Sequence, residues 1–212
     1  MPQQTFTHVP RIGKHIERQS RPTREAPQIE AGLERRSVAL ANRLTNLFRN
    51  RSRPFPLTAL LEYFEIREVR ERPLDRDACL RVAPPGFLIE VNSLYPLTVQ
   101  RLGIAHEIGH LVVERCIRRG QSSLGKHSDP RIEGVCDRVG RLLLTPDWAL
   151  SFYLRRYHAP RSATKARNAK PTIASAARAF GIPHKAMTLR VGASRFKNAF
   201  RIGLGEQGRN RA

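Results

Sequence analysis

The chain has 212 residues with 38 Lys or Arg against 18 Asp or Glu, a formal net charge of +20, and a hydrophobic content of 40%. That length and apolar share suit one globular domain with a proper core. No apolar run reaches membrane-spanning length, and residues 1–11 lack the apolar centre of a secretion signal, so a cytoplasmic protein with no membrane role is expected. Cys79, Cys116 and Cys136 form neither a CxxC pair nor an even framework and are read as free, mostly buried thiols.

Residues 1–36 are polar, basic and proline-containing, a composition that predicts a disordered leader. Leu40, Leu44 and the Leu47-Phe48 pair then recur at helical spacing and predict a helix over 38–48. A second short helix opens at Phe55-Pro-Leu-Thr and runs through Tyr63-Phe64. Three β-like runs follow at 66–69, 78–82 and 87–91, with Pro84-Pro85-Gly86 as the turn between the last two, and predict a small antiparallel sheet. Helix resumes near Leu97 and continues to about Arg118.

That helix carries His106-Glu107-Ile108-Gly109-His110. At about 3.6 residues per turn, histidines four apart project from one face, so both imidazoles can reach a single cation with Glu107 beside them. His-Glu-x-x-His on a helix is the signature of zinc metallopeptidases. A catalytic zinc takes three protein ligands and keeps a fourth position for water, so a third donor is required. His127, Asp129, Glu133 and Asp137 are the downstream candidates. Glu133 is preferred, because it opens a stretch whose apolar residues 135, 139, 142 and 143 follow helical spacing up to Pro146. Asp137 lies one turn later on the same face, suited to accept from the outer N–H of a ligating histidine and fix its tautomer. His127 lies in a loop by composition, where a surface histidine is the ordinary outcome.

Together, Ile89-Glu-Val-Asn92, Arg101-Leu-Gly-Ile-Ala105 leading into the His-Glu-x-x-His, Glu133-x-x-Cys-Asp137 and Leu143-Leu144-Thr-Pro146 resemble the ImmA/IrrE family of bacterial metallopeptidases. The resemblance spans residues 37–192, with specific motifs between 89 and 146. Cys136 stands where the family usually has Ala, Val139-Gly140 where it has Phe-Ala, and Leu102-Gly103 where an aromatic is common. The resemblance implies a gluzincin-like, mostly helical α+β fold with the small sheet next to the zinc helix. It also implies an intracellular, site-specific zinc endopeptidase that cuts a regulatory protein such as a helix-turn-helix repressor. In that reading His106, His110 and Glu133 hold Zn2+, with Mn2+ or Fe2+ as other occupants of the same donor set, and Glu107 is the general base. No oxyanion-stabilising residue is identified; Tyr95, Tyr153, Tyr157, His158 and His184 are the candidates, each more simply a packing or surface residue.

The carboxy-terminal part poses a separate question. Residues 151–212 carry fourteen Lys and Arg against one acid, Glu206, a charge of +13 that suits a polyanion. Residues 173–191 comprise two short amphipathic pieces around a Gly turn, which is helix-turn-helix spacing. One expectation is that Ala177, Phe180, Ile182, Met187, Leu189 and Val191 are core and the pair packs on the catalytic domain. The other is a DNA-binding or repressor-binding module whose zinc site is inactive or structural. The expected organisation is therefore a leader (1–36), a zincin-like domain (37–158), a basic linker (159–171), the helical pair (172–195) and a basic tail (196–212).

Overall fold

The computed structural model describes residues 26–49, 57–120, 129–158 and 171–200. Among these residues are seven α-helices and one small sheet, in the order α1 (Ala26–Leu47), α2 (Leu57–Tyr63), β1 (Ile66–Arg72), β2 (Ala78–Ala83), β3 (Gly86–Asn92), α3 (Leu97–Gly120), α4 (Pro130–Leu144), α5 (Asp147–His158), α6 (Ile173–Phe180) and α7 (His184–Gly192). The fold is thus mostly helical α+β. No helix among the described residues is long and apolar enough to cross a membrane.

The first helix starts at Ala26, so the boundary expected at residue 36 falls inside it. Leu33, Ala41 and Leu44 are buried on one face, and Ser37 between them is also buried. Leu33 extends the stripe by two turns, but the charged residues Glu34, Arg35 and Arg36 that follow it mask the periodicity. Residues 1–25 of the expected leader lie outside the described residues, as do most of the expected linker and tail.

The sheet is mixed rather than antiparallel throughout. Its order is β1-β3-β2, with β2 antiparallel and β1 parallel to β3. Burial decides which strand is central: β3 carries Phe87-Leu-Ile-Glu-Val and is buried from Ile89 to Asn92, whereas β1, Ile-Arg-Glu-Val-Arg-Glu-Arg, is a charged edge. The hairpin returns β3 between its partners, which forces the chain from β1 to cross the end of β3. Asn92 fastens that crossing, its side-chain amide donating to the carbonyls of Leu74 at 2.8 Å and Arg76 at 3.1 Å. Buried Glu90 clips the three strands together, meeting Arg72 of β1 at 2.9 Å and Arg81 of β2 at 2.5 Å.

The helix α3 lies along α4 and also touches β2 and β3. Ala105, Ile108 and Val112 of α3 are fully buried in a core shared with Ile89 of β3 and with Cys136, Val139 and Leu143 of α4. The two helices approach closely because neither crossing point carries a side chain. A Cβ at Gly109 would stand 2.8 Å from the Cys136 carbonyl oxygen, and one at Gly140 would stand 3.0 Å from the His106 nitrogen. The last pair, α6 and α7, joins the same core: Ala176, Phe180, Ile182, Met187 and Val191 are buried, and Arg190 donates to the Thr145 carbonyl at 3.1 Å and to Asp147 at 2.5 Å.

Candidate metal centre

Two helices supply the site. Along α3, His106 and His110 project one turn apart with ring centroids 4.9 Å apart, and their Nε2 atoms come within 3.1 Å of each other. Across the groove, α4 begins at an Asp129 N-cap, which accepts from the Arg131 backbone N–H, followed by Pro130 in the first turn. That start sets the phase of the helix, so Glu133 and Asp137 rise side by side facing α3. Glu133 Oε2 lies 3.1 Å from His106 Nε2, and its Oε1 lies 3.6 Å from His110 Nε2. Asp137 Oδ1 meets the other nitrogen of His106, Nδ1, at 2.9 Å.

Two imidazole nitrogens and a carboxylate that converge this tightly need a proton or a cation among them. The carboxylate below His106 decides its tautomer: Asp137 accepts from Nδ1–H, which leaves the Nε2 lone pair pointing at His110 and Glu133. The three separations of 3.1, 3.1 and 3.6 Å suit a single small ion. For arms of about 2.0–2.1 Å a tetrahedron has edges of about 3.4 Å. Ligand atoms of His106, Glu107 and His110 also lie within 4.8 Å of one another, so this cluster can hold a metal ion. Of the two glutamates, Glu133 has the ligand geometry, because it reaches both Nε2 atoms. Glu107 is tied elsewhere: its Oε2 accepts from the Leu80 backbone N–H at 3.0 Å, an amide on the edge strand β2.

Burial and charge compete at each group. Desolvation alone would lower the His106 pKa, but the Asp137 hydrogen bond and the charges of Glu107, Asp137 and Glu133 outweigh it and hold it above its ordinary value. Glu107 is raised, chiefly by burial, with the His106 charge and the Leu80 amide pulling the other way. Asp137 is lowered, first by its hydrogen bond with His106, and Arg141 at 3.7 Å adds to that. One contact was not anticipated from the sequence: Cys136 Sγ lies 3.4 Å from His110 Nδ1. Burial pushes this thiol far up, so it stays protonated and serves as a weak hydrogen-bond partner to the outer nitrogen of His110. Its position three residues after Glu133 and one before Asp137, on the same helical turn, was the available signal.

The remaining candidates are placed as follows. Asp129 is engaged in capping α4 and in pairing with Arg131 at 2.6 Å. His127 lies outside the described residues, and so do the side chains of Tyr157 and His158. Tyr153 packs against Phe180 and Phe200 and shares a hydrogen bond with Ser175 at 2.9 Å. Tyr95 is exposed at the corner between β3 and α3, and His184 is exposed at the start of α7. None of these three joins the histidine cluster.

No protein-family model matches this chain, and no curated protein does either. Among solved structures, a Mycobacterium tuberculosis transcriptional regulator is similar, with a TM-score of 0.53 and 12% identity over 82% of this chain and 53% of that one. The chain therefore spans about half the length of that structure, and a likeness at this identity concerns the fold.

Proposed function

We propose that this protein is a zinc-dependent endopeptidase acting in the cytoplasm, in which His106, His110 and Glu133 hold the ion. The observation that carries the proposal is the convergence of two Nε2 atoms and one carboxylate within 3.1 to 3.6 Å, with a second, tethered carboxylate alongside. When bound, the ion would supply Lewis acidity to a peptide carbonyl and make water a better acid. The chain's own groups do the rest. Asp137 keeps the His106 proton on Nδ1, so that the nitrogen facing the ion stays a donor of electrons. Glu107, its pKa raised chiefly by burial, is the general base: it takes the proton from the attacking water and returns it to the leaving amine. The Leu80 amide fixes Glu107 Oε2 and leaves Oε1 to carry that proton.

An intact base beside the donor set favours catalysis over a structural ion, because a structural zinc site is closed by four protein ligands and needs no base. A regulatory protein, such as a helix-turn-helix repressor, is the proposed substrate class. It rests on the ImmA/IrrE resemblance and accords with the description of the Mycobacterium protein as a transcriptional regulator. That same likeness, with Arg178, Lys185 and Leu189 exposed on α6 and α7, favours one second reading: a DNA-binding or repressor-binding module with an inactive site.

The test is the Glu107→Gln variant, assayed for bound metal and for cleavage of candidate repressors with and without chelator. Zinc content should match the unaltered protein while cleavage falls by about 10²- to 10⁴-fold. Full cleavage by the variant would remove Glu107 from the chemistry. Absence of any chelator-sensitive cleavage, together with duplex binding that weakens steeply with salt, would establish the second reading instead.

A further inference from the structure

A second cleft, about 310 Å³ in volume, opens between α1, α4 and α7. Its lining includes four arginines, Arg35, Arg138, Arg141 and Arg190, with one carboxylate, Glu34, and apolar surface such as Leu142. The four cations are not equally occupied. Arg190 is satisfied by Thr145 and Asp147, and Arg138 pairs with Glu34. Arg141 is different: its side chain is only 18% exposed, yet its one ion-pair partner among the described residues is Asp137, at 3.7 Å. A guanidinium has five N–H donors in a fixed fork, so most of them remain open toward the cleft. Burial, and after it the like charges of Arg138 and Arg190, hold this group below its ordinary pKa in spite of Asp137. On the opposite wall, Arg35 has no ion-pair or hydrogen-bond partner among the described residues.

We infer that this cleft binds a small organic anion through a phosphate or carboxylate group held between Arg141 and Arg35, with its apolar body against Leu142. A guanidinium with open donors facing a concave wall suits a doubly accepting oxyanion, since arginine and such groups pair through two parallel hydrogen bonds. The volume is at the lower end of the range of small-molecule sites, and a concave site of this size suits a compact ligand better than a duplex backbone. This inference does not depend on the metal, because none of the lining residues is in the proposed ligand set.

Calorimetric titration of the full-length, metal-free protein with inorganic phosphate, citrate and phenyl phosphate, at ionic strength held constant with chloride, tests it. One saturable site is expected, with phenyl phosphate binding more tightly than inorganic phosphate because its ring meets the apolar wall. Preference for citrate would assign the site to carboxylates. Arg141→Gln and Arg35→Gln should each weaken binding about tenfold or more, while Arg178→Gln, on the exposed face of α6, should leave it unchanged. Because Arg35 is exposed, its replacement tests the cleft even should Arg141→Gln disturb α4. Heats that do not saturate, or equal losses in all three variants, would overturn the inference. So would tight binding of duplex DNA with which phenyl phosphate does not compete.

Discussion

The helix pairs α3–α4 and α6–α7 are built alike and used differently. In α6–α7 the contact faces are apolar, with Phe180, Ile182, Met187 and Val191 turned inward, while Arg178 and Lys185 point to solvent. In α3–α4 the apolar contact is interrupted by four polar side chains that face one another: His106, His110, Glu133 and Asp137. The first arrangement contributes to stability and leaves Arg178 and Lys185 outside, while Arg190 turns inward to Thr145 and Asp147. The second places hydrogen-bonding groups together at a seam that is closed on the histidine side and open on the carboxylate side, with His110 buried and Asp137 exposed. What distinguishes a packing pair from a chemical one here is which residues occupy the seam.

The contrast can be broken from both sides. The largest effect is expected from Phe180→Ala, which should lower unfolding free energy by about 3–5 kcal/mol while metal stoichiometry under native conditions is unchanged; thermal denaturation with metal analysis of the folded fraction checks both halves. Conversely, Glu133→Ala should leave the melting curve of the metal-free protein near that of the parent, yet weaken zinc binding more than about 100-fold. The corresponding Asp137→Asn change should weaken it about 10- to 100-fold, as for other carboxylates behind a ligating histidine. Competition with a chromophoric chelator reads both. A smaller effect of about 1–3 kcal/mol is expected from Gly140→Ala, where the new methyl meets the α3 backbone. Gly134→Ala, on the same helix with nothing within 4 Å of the added carbon, should stabilise by about 0.5–1 kcal/mol.

The smallest effect concerns pH. His106 has a folded pKa raised above its ordinary 6.5. In the metal-free protein its contribution to stability is therefore complete below that value and is lost as pH rises through the folded value. Asp137 is shifted the other way, so its contribution is present above the ordinary carboxylate pKa and fades as pH falls through its lowered one. Removing either partner, by His106→Ala or Asp137→Asn, should flatten the slope above pH 6.5 in denaturant midpoints; an unchanged slope would mean that other groups set it.

The parts of this site that depend on spacing along one helix could be read directly from the chain. His106 with His110, and Glu133 with Asp137, are four apart, and helical geometry alone places each pair on one face. Which face of α4 meets α3 is a property of the crossing, so the approach of Cys136 to His110 could not be read in the same way. The sheet shows the same division. Ile66 and Val69 point to a strand over 66–72, but they do not distinguish parallel from antiparallel partners, and only the burial of β3 between β1 and β2 selects the mixed order. At the amino end, Leu33 belongs to the core stripe of α1, yet one leucine beside three charged residues looks like solvated chain until the helix it continues is known.

Two missing methyl groups, one at residue 109 and one at residue 140, act as the gauge that sets the gap between these rods. Seven residues of helix separate the latter from Glu133, a lever arm of about 10 Å, so a wedge inserted at one end would tilt the carboxylate at the other away from the rings. Lengthening or repacking the outer side chains would leave the opening untouched. The dimension that fixes coordination here is measured from backbone to backbone, and it can be widened by a single carbon atom added to a glycine rather than to a donor side chain.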